Sequence, residues 1–280
     1  MHIEINGARL FFDTVGSGLA IDGERMRQKP TLLVLHGGPG FDHAPMRPYF
    51  DRFADTHQVV YLDHRGNGRS TGEPNSWTLA QWGDDIHAFC QALGIDRPAV
   101  LGLSFGGMVT MSYAARHPEG PSRLILSSTA ARMDLPATYA AMERLGGPEA
   151  RRIAETFWAS PSPEAVDPYL QVCMPLYSPN GAQTAEARKR AITRTEVMLH
   201  FIDGEQRTLD LLGGLANVRC PTLVLAGGLD PITPPSCARA IYDALPSGLA
   251  ELDIFEAAGH GVHRDEPDHA EAVMRRFLGS

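Results

Sequence analysis

No run of apolar residues in this 280-residue chain approaches the ~18 that a membrane-spanning helix needs, so no membrane partner is expected. Positive charge is also short. Lys and Arg number 25 against 33 Asp and Glu, and the formal net charge of −8 argues against nucleic acid or an anionic membrane surface as the main partner. Cysteine is scarce: Cys90, Cys173, Cys220 and Cys237 lie far apart, with neither metal-ligand spacing nor the look of a disulfide framework. That scatter predicts a reduced, cytoplasmic protein in which the cysteines are small buried side chains. The first residues, Met1-His-Ile-Glu-Ile-Asn-Gly7, contain no basic stretch leading into an apolar one, and no signal peptide is expected. Internal repeats and low-complexity tracts are absent as well. With 43% hydrophobic and 21% charged residues, the chain has the composition of one large globular domain, or of a core domain carrying an insertion.

What is present centres on residues 98 to 118. Ala99, Val100, Leu101 and Leu103 form a short apolar run, and from Phe105 the apolar spacing becomes helical until Pro118. A buried strand, a sharp turn and a helix follow from this pattern, with Ser104 at the turn. Gly102-Leu-Ser104-Phe-Gly106 is the Gly-x-Ser-x-Gly of a nucleophile elbow, whose tight bend leaves no room for side chains on either flank. Close helix-to-sheet packing alone would account for the glycines but would leave the serine unexplained.

Residues 2 to 15 alternate around Asn6-Gly7 and predict a β-hairpin, and the glycine-punctuated stretch from Gly16 to Lys29 predicts a loop. Buried strands are expected at Thr31–His36, Gln58–Leu62, Arg123–Thr129, Pro221–Ala226 and near Leu249–Phe255. Helices are expected at Thr78–Leu93, near Cys237–Leu245 and from about Pro267 to Leu278. Strands alternating with helices give an α/β fold with a mostly parallel sheet. Between residues 130 and 219 only helical patterning appears, broken repeatedly by Pro and Gly. The core is therefore expected to span 1–129 and 220–280, with 130–219 a helical cap insertion.

Acyl transfer by a serine needs a base to take its proton and an acid to orient that base. Of the eleven histidines, His260 alone follows a strand in a small-residue loop ahead of the last helix. Asp230 lies directly beyond an apolar strand, in a turn ending at a proline. Ser104, Asp230 and His260 therefore form the expected catalytic set, in the chain order expected of such a fold. His263 is expected to face solvent, and its His-x-x-His pairing with His260 lacks a further ligand, so no metal site is assigned. Gly38, in the glycine run after the strand ending at His36, and Phe105, next to the serine, are the expected oxyanion donors through their N–H groups. The loop Asp63-His-Arg-Gly-Asn-Gly-Arg-Ser70 has neither a Gly-Lys-Ser/Thr ending nor Gly-x-Gly-x-x-Gly spacing, so Asp63 and Arg65 are read as braces of the neighbouring loops.

The ordered set His36-Gly-Gly-Pro-Gly40, Asp63–Ser70, Gly102–Gly107, Gly228-Leu-Asp230 and Gly259-His260 resembles the α/β-hydrolase superfamily, and within it the proline iminopeptidase branch. The resemblance implies an eight-stranded sheet flanked by helices, a helical cap, and no cofactor. It further implies a small-molecule or short peptide substrate, with cap carboxylates holding a free amino terminus; Glu196 and Glu205 are the candidates. Iminopeptidases usually carry Gln where this chain has His64, and often Trp where it has Phe105. Lactonases and small-ester carboxylesterases share the core motifs and remain alternatives, as does a non-catalytic ligand receptor on the same fold. Trp158 and Phe201, with Phe157, Tyr177 and Met198, are candidates either for an apolar substrate pocket or for the interior of the cap.

Overall fold

The computed structural model describes residues 1–179 and 189–279. Its strands are β1 (His2–Ile5), β2 (Ala8–Val15), β3 (Leu19–Asp22), β4 (Arg25–Gln28), β5 (Thr31–Leu35), β6 (Gln58–Leu62), β7 (Ala99–Leu103), β8 (Arg123–Ser127), β9 (Thr222–Gly227) and β10 (Ala250–Phe255). Eight of them form one sheet in the order β1-β2-β6-β5-β7-β8-β9-β10. The β1–β2 hairpin turns at Asn6-Gly7 and joins β6 antiparallel, while all pairs from β6 to β10 are parallel. The expected mostly parallel eight-stranded sheet is thus present. Strands β5 to β9 are apolar on both faces because helices cover both, as parallel sheets require.

Residues 16 to 29 depart from expectation. They form a two-stranded antiparallel hairpin, β3 with β4, rather than a loop. Gly23, at a φ of +60°, makes its turn. Sequence alternation is weak here because both strands are largely exposed, with Ile21 and Met26 facing outward.

Helix α1 (Leu79–Ala92) starts at Thr78, whose hydroxyl accepts the Gln81 N–H at 3.2 Å. Its Trp82, Ile86, Phe89 and Cys90 are buried against α2 (Phe105–Arg116) and the sheet, in one apolar cluster. Trp77 belongs to the same cluster. The opposite face holds Phe50, Phe53, Tyr61, Leu101 and Leu223 under Phe277 of the last helix.

Between β8 and β9 the chain runs through α3 (Leu135–Ala159), α4 (Pro163–Pro168), α5 (Thr195–Asp203) and the one-turn α6 (Leu212–Leu215). No strand occurs there among the described residues. Pro148 breaks α3, and Gly147 takes a φ of +74° at the kink. Met142, Ile153, Phe157, Tyr169, Met198 and Ile202 give this segment its own apolar cluster. Leu209, Leu215 and Val218 instead join the cluster under α1 and α2, so the end of the segment packs as part of the sheet's own helical layer. After β9 come α7 (Pro235–Ala244), then β10, the short α8 (Val262–Asp265) and α9 (Pro267–Gly279).

The chain passes from β5 to β6 on one side of β5 and then returns to β7 on the other. In open α/β sheets a ligand crevice forms at such a reversal, beyond the carboxyl ends of the strands. The loops after β5 and β7 carry Gly38 and Ser104.

Candidate active site

Ser104 sits between β7 and α2 with φ +53° and ψ −118°, a conformation L-residues avoid. The fold holds it there: the Ser104 N–H donates to the Ser127 carbonyl at 3.0 Å, and the Thr129 hydroxyl donates to the Ser104 carbonyl at 2.6 Å. Glycine is required on both flanks. A Cβ at Gly102 would lie 2.4 Å from the Gly106 carbonyl oxygen, and one at Gly106 would lie 2.4 Å from that of Leu35. The elbow thus presents the Ser104 hydroxyl above the sheet edge.

His260 reaches this hydroxyl from the loop after β10, its Nε2 at 2.9 Å from the Ser104 Oγ. Its Nδ1 lies 2.8 Å from Asp230 Oδ2. A carboxylate only accepts, so Nδ1 carries the proton and Nε2 is left to accept from the serine. Asp230 is buried, in a turn after β9, and its lone pairs are filled. Oδ1 accepts from the Ile232 and Thr233 N–H groups at 2.8 and 3.0 Å, and Oδ2 accepts from the Thr233 hydroxyl at 2.7 Å. The imidazole is held from its backbone too, its N–H donating to the Tyr177 carbonyl at 2.6 Å while the Tyr177 ring meets it edge-on at 5.1 Å. Thr233 was not singled out by the sequence, although the Asp-x-x-Thr spacing of an Asx-type turn is a signal for it; Tyr177, a candidate for the pocket or the cap interior, also holds the His260 loop through its carbonyl.

The N–H of Phe105 opens α2 and has no intrahelical acceptor. Neither it nor the Gly38 N–H has a partner among the described residues. The loop bearing Gly38 is fixed by Asn67, whose side-chain oxygen accepts the Gly40 N–H at 2.6 Å. His36 packs beneath, its Nδ1–H donating to the Gly37 carbonyl at 2.7 Å and its Nε2 accepting the His64 N–H at 3.1 Å. Burial pulls both imidazoles below their usual range, His64 well below it. Asp63 and Arg65 brace the loops as expected. Asp63 accepts from the N–H and Nδ1 of His43 and from the Arg69 N–H, and Arg65 pairs with buried Asp85 at 2.7 Å. Burial works against the Asp63 carboxylate, but His43 and the further bonds hold its pKa down at about 2.

Asp42, His43 and Asp63 lie close enough together to share a cation. Their charges are already answered, because Arg69 pairs with Asp42 at 2.6 Å and His43 bonds to Asp63 at 2.6 Å. His263 is buried rather than solvent-facing, since α8 turns it inward against Tyr49 and Phe50, with ring centroids at 5.2 and 5.1 Å. The four cysteines are buried and unpaired.

A cavity of about 450 Å³ opens over Ser104. The strand-end loops contribute Gly38, Phe105 and His260 to it, and the segment between β8 and β9 contributes Phe157, Trp158, Tyr177, Met198 and Phe201. Trp158 and Phe201 thus line the cavity and pack in apolar clusters at once. Glu196 and Glu205 do not line it. Glu196 is exposed on α5, and exposed Glu205 accepts the Leu79 N–H at the start of α1, at 2.6 Å. Among the described lining residues Asp42 is the only carboxylate outside the Ser104–His260–Asp230 chain, and its oxygens are taken by Arg69 and the Ile192 N–H.

The model of the alpha/beta hydrolase fold matches residues 30–267. RutD of Caulobacter sp. strain K31, provisionally named a carbamate hydrolase, is 30% identical over 271 residues, covering 90% of this chain and 91% of its own. A proline iminopeptidase of Clostridium botulinum is 26% identical over 274 residues, 92% of each chain. The crystal structure of the enol-lactonase from Burkholderia xenovorans LB400 superposes with a TM-score of 0.77 over all of both chains at 20% identity, a likeness of fold. With the elbow, the strand order and a match across most of its length in agreement, this chain belongs to the α/β-hydrolase family.

Proposed function

We propose that the protein is a cofactor-independent serine hydrolase that cleaves a small carboxylic ester, lactone or amide through an acyl-enzyme. Ser104 is the nucleophile, His260 the general base and then general acid, and Asp230 the group that fixes the imidazole tautomer and balances its charge. His260 takes the serine proton as Oγ attacks the carbonyl, and the resulting oxyanion is met by the N–H groups of Gly38 and Phe105. His260 returns the proton to the leaving group. It then activates a water that releases the acid. The reading rests on one observation above others: a single imidazole bridges a buried carboxylate at 2.8 Å and the elbow serine at 2.9 Å.

An ester or lactone is favoured as substrate by the apolar walls, with Phe41, Met108, Phe157, Met174 and Met198 around the serine. Proline iminopeptidase activity is the second reading, supported by the likeness to a named iminopeptidase across 92% of the chain. It needs a free carboxylate in the cavity for the substrate amine, and Asp42 is already neutralised by Arg69. The deciding measurement is the initial rate on a prolyl anilide, a short-chain aryl ester and an acyl lactone, with Ser104→Ala beside wild type. Ester or lactone turnover is expected to exceed anilide cleavage, and Ser104→Ala to lower it on the order of a millionfold. Undiminished turnover in Ser104→Ala would sink the serine mechanism; preferred cleavage of the unblocked prolyl anilide would favour the peptidase.

A further inference from the structure

Four residues beyond His260, on α8, Arg264 turns its side chain back over Gly261 and into the wall of the cavity. Its Nη2 donates one long bond to the His260 carbonyl, at 3.4 Å, and its Nε is buried without a partner. No carboxylate among the described residues lies within ion-pair distance. The nearby acids point elsewhere: Asp265 accepts from the Ser178 hydroxyl and from the Gly259 N–H at 2.7 Å, Asp230 holds His260, and Glu266 turns its Oε2 to His269 at 3.3 Å, its buried Oε1 unpartnered and outside ion-pair distance of Arg264. Arginines taken out of water are ordinarily paired, because an uncompensated buried charge is costly. Arg264 is partly buried, and its lost hydration draws the guanidinium below its usual range despite Asp265 nearby.

We propose that Arg264 binds the carboxylate of the substrate, so that the preferred substrates are esters, lactones or amides that carry a second, ionised carboxyl group. The guanidinium fork matches a carboxylate in geometry and charge, and an arriving anion would supply the missing counter-ion. Arg264 and Ser104 line the same largely apolar cavity, which would take the short carbon chain joining the two ends. This proposal rests on the serine hydrolase reading for the chemistry and adds the substrate class.

The test compares kcat/KM for 4-nitrophenyl hemiglutarate and the uncharged 4-nitrophenyl valerate in wild type, Arg264→Gln and Arg264→Lys. Wild type is expected to favour the acid ester, and the ratio of the two values to fall about tenfold to a hundredfold in Arg264→Gln, with Arg264→Lys in between. A purely structural arginine would lower both values together and leave the ratio unchanged, which overturns the proposal. Calorimetric binding of monomethyl glutarate to Ser104→Ala, alone and combined with Arg264→Gln, separates the two readings. Absence of Ser104-dependent hydrolysis defeats the hydrolase reading, whereas binding that is absent or indifferent to Arg264 defeats this one.

Discussion

The two walls of the cavity are built differently. The wall made by the strand-end loops is a matter of backbone: a serine at φ +53°, glycines pressed against carbonyl oxygens, and buried carboxylates with filled lone pairs. The wall from the segment between β8 and β9 is a matter of side chains, with Phe157, Trp158, Met174, Met198 and Phe201 packed by contact and few polar anchors. Chemistry that must hold atoms to a few tenths of an ångström demands the first kind of construction. Selection among substrates is served by the second, where methionine and aromatic surfaces are exchanged without disturbing the frame.

The contrast breaks first at Asp230. Asp230→Asn keeps the shape of the turn but removes the acceptor that fixes the His260 tautomer, and kcat is expected to fall about 10⁴-fold with KM little changed. Steady-state kinetics on the best ester probe decide it; a drop of less than tenfold would mean that the imidazole is held by other bonds.

A paired comparison of stability sharpens the difference. Gly106→Ala forces a methyl against the Leu35 and His36 carbonyls and is expected to cost about 2 kcal/mol or more, while Met198→Leu in the opposite wall costs about 1 kcal/mol or less. Urea unfolding of both variants measures this, and equal losses would erase the distinction.

Acid provides the mildest perturbation. His36, His64 and His263 are buried with imidazoles held below their usual range, first by lost hydration. The unfolded chain takes up protons near the ordinary histidine pKa of ~6.5 that the folded protein refuses, so stability is full above that pH and drains away as pH falls below it. Asp63, at about 2, adds a second loss as pH falls through the ordinary carboxylate range. Urea midpoints are expected to be flat from about pH 8 to 7 and to decline by about pH 5. A midpoint that rises on acidification would contradict the burial of neutral imidazoles.

Legibility in the sequence followed the same division. The elbow, the Asp230 turn and the His260 loop each need particular residues at particular spacings, since a glycine that avoids a backbone oxygen has no substitute. The strands could be located because β5 to β9 are apolar on both faces. No such rule ties a wall of side chains to a pattern: Glu196 and Glu205, nominated by resemblance, lie outside the cavity, and Arg264, which lies in its wall, belongs to no motif. The β3–β4 hairpin escaped notice for a related reason, since exposed strands have no buried face to enforce alternation. His263 was misplaced because the one-turn α8 is too short to announce which way its residues point.

The strand order also bears on how the protein is made. In the finished sheet β8 lies between β7 and β9, yet β9 begins at Thr222, some distance after β8 ends at Ser127. At ~5–20 residues per second, the ribosome takes about 5 to 20 s to deliver the next strand, and for that interval β8 is a bare edge open to any passing β-structure. Asp230 and His260 emerge later still. A growing chain therefore carries Ser104 on its elbow long before the two residues that the proposed mechanism sets beside it, and the arrangement is complete only once β9 and β10 have joined the sheet.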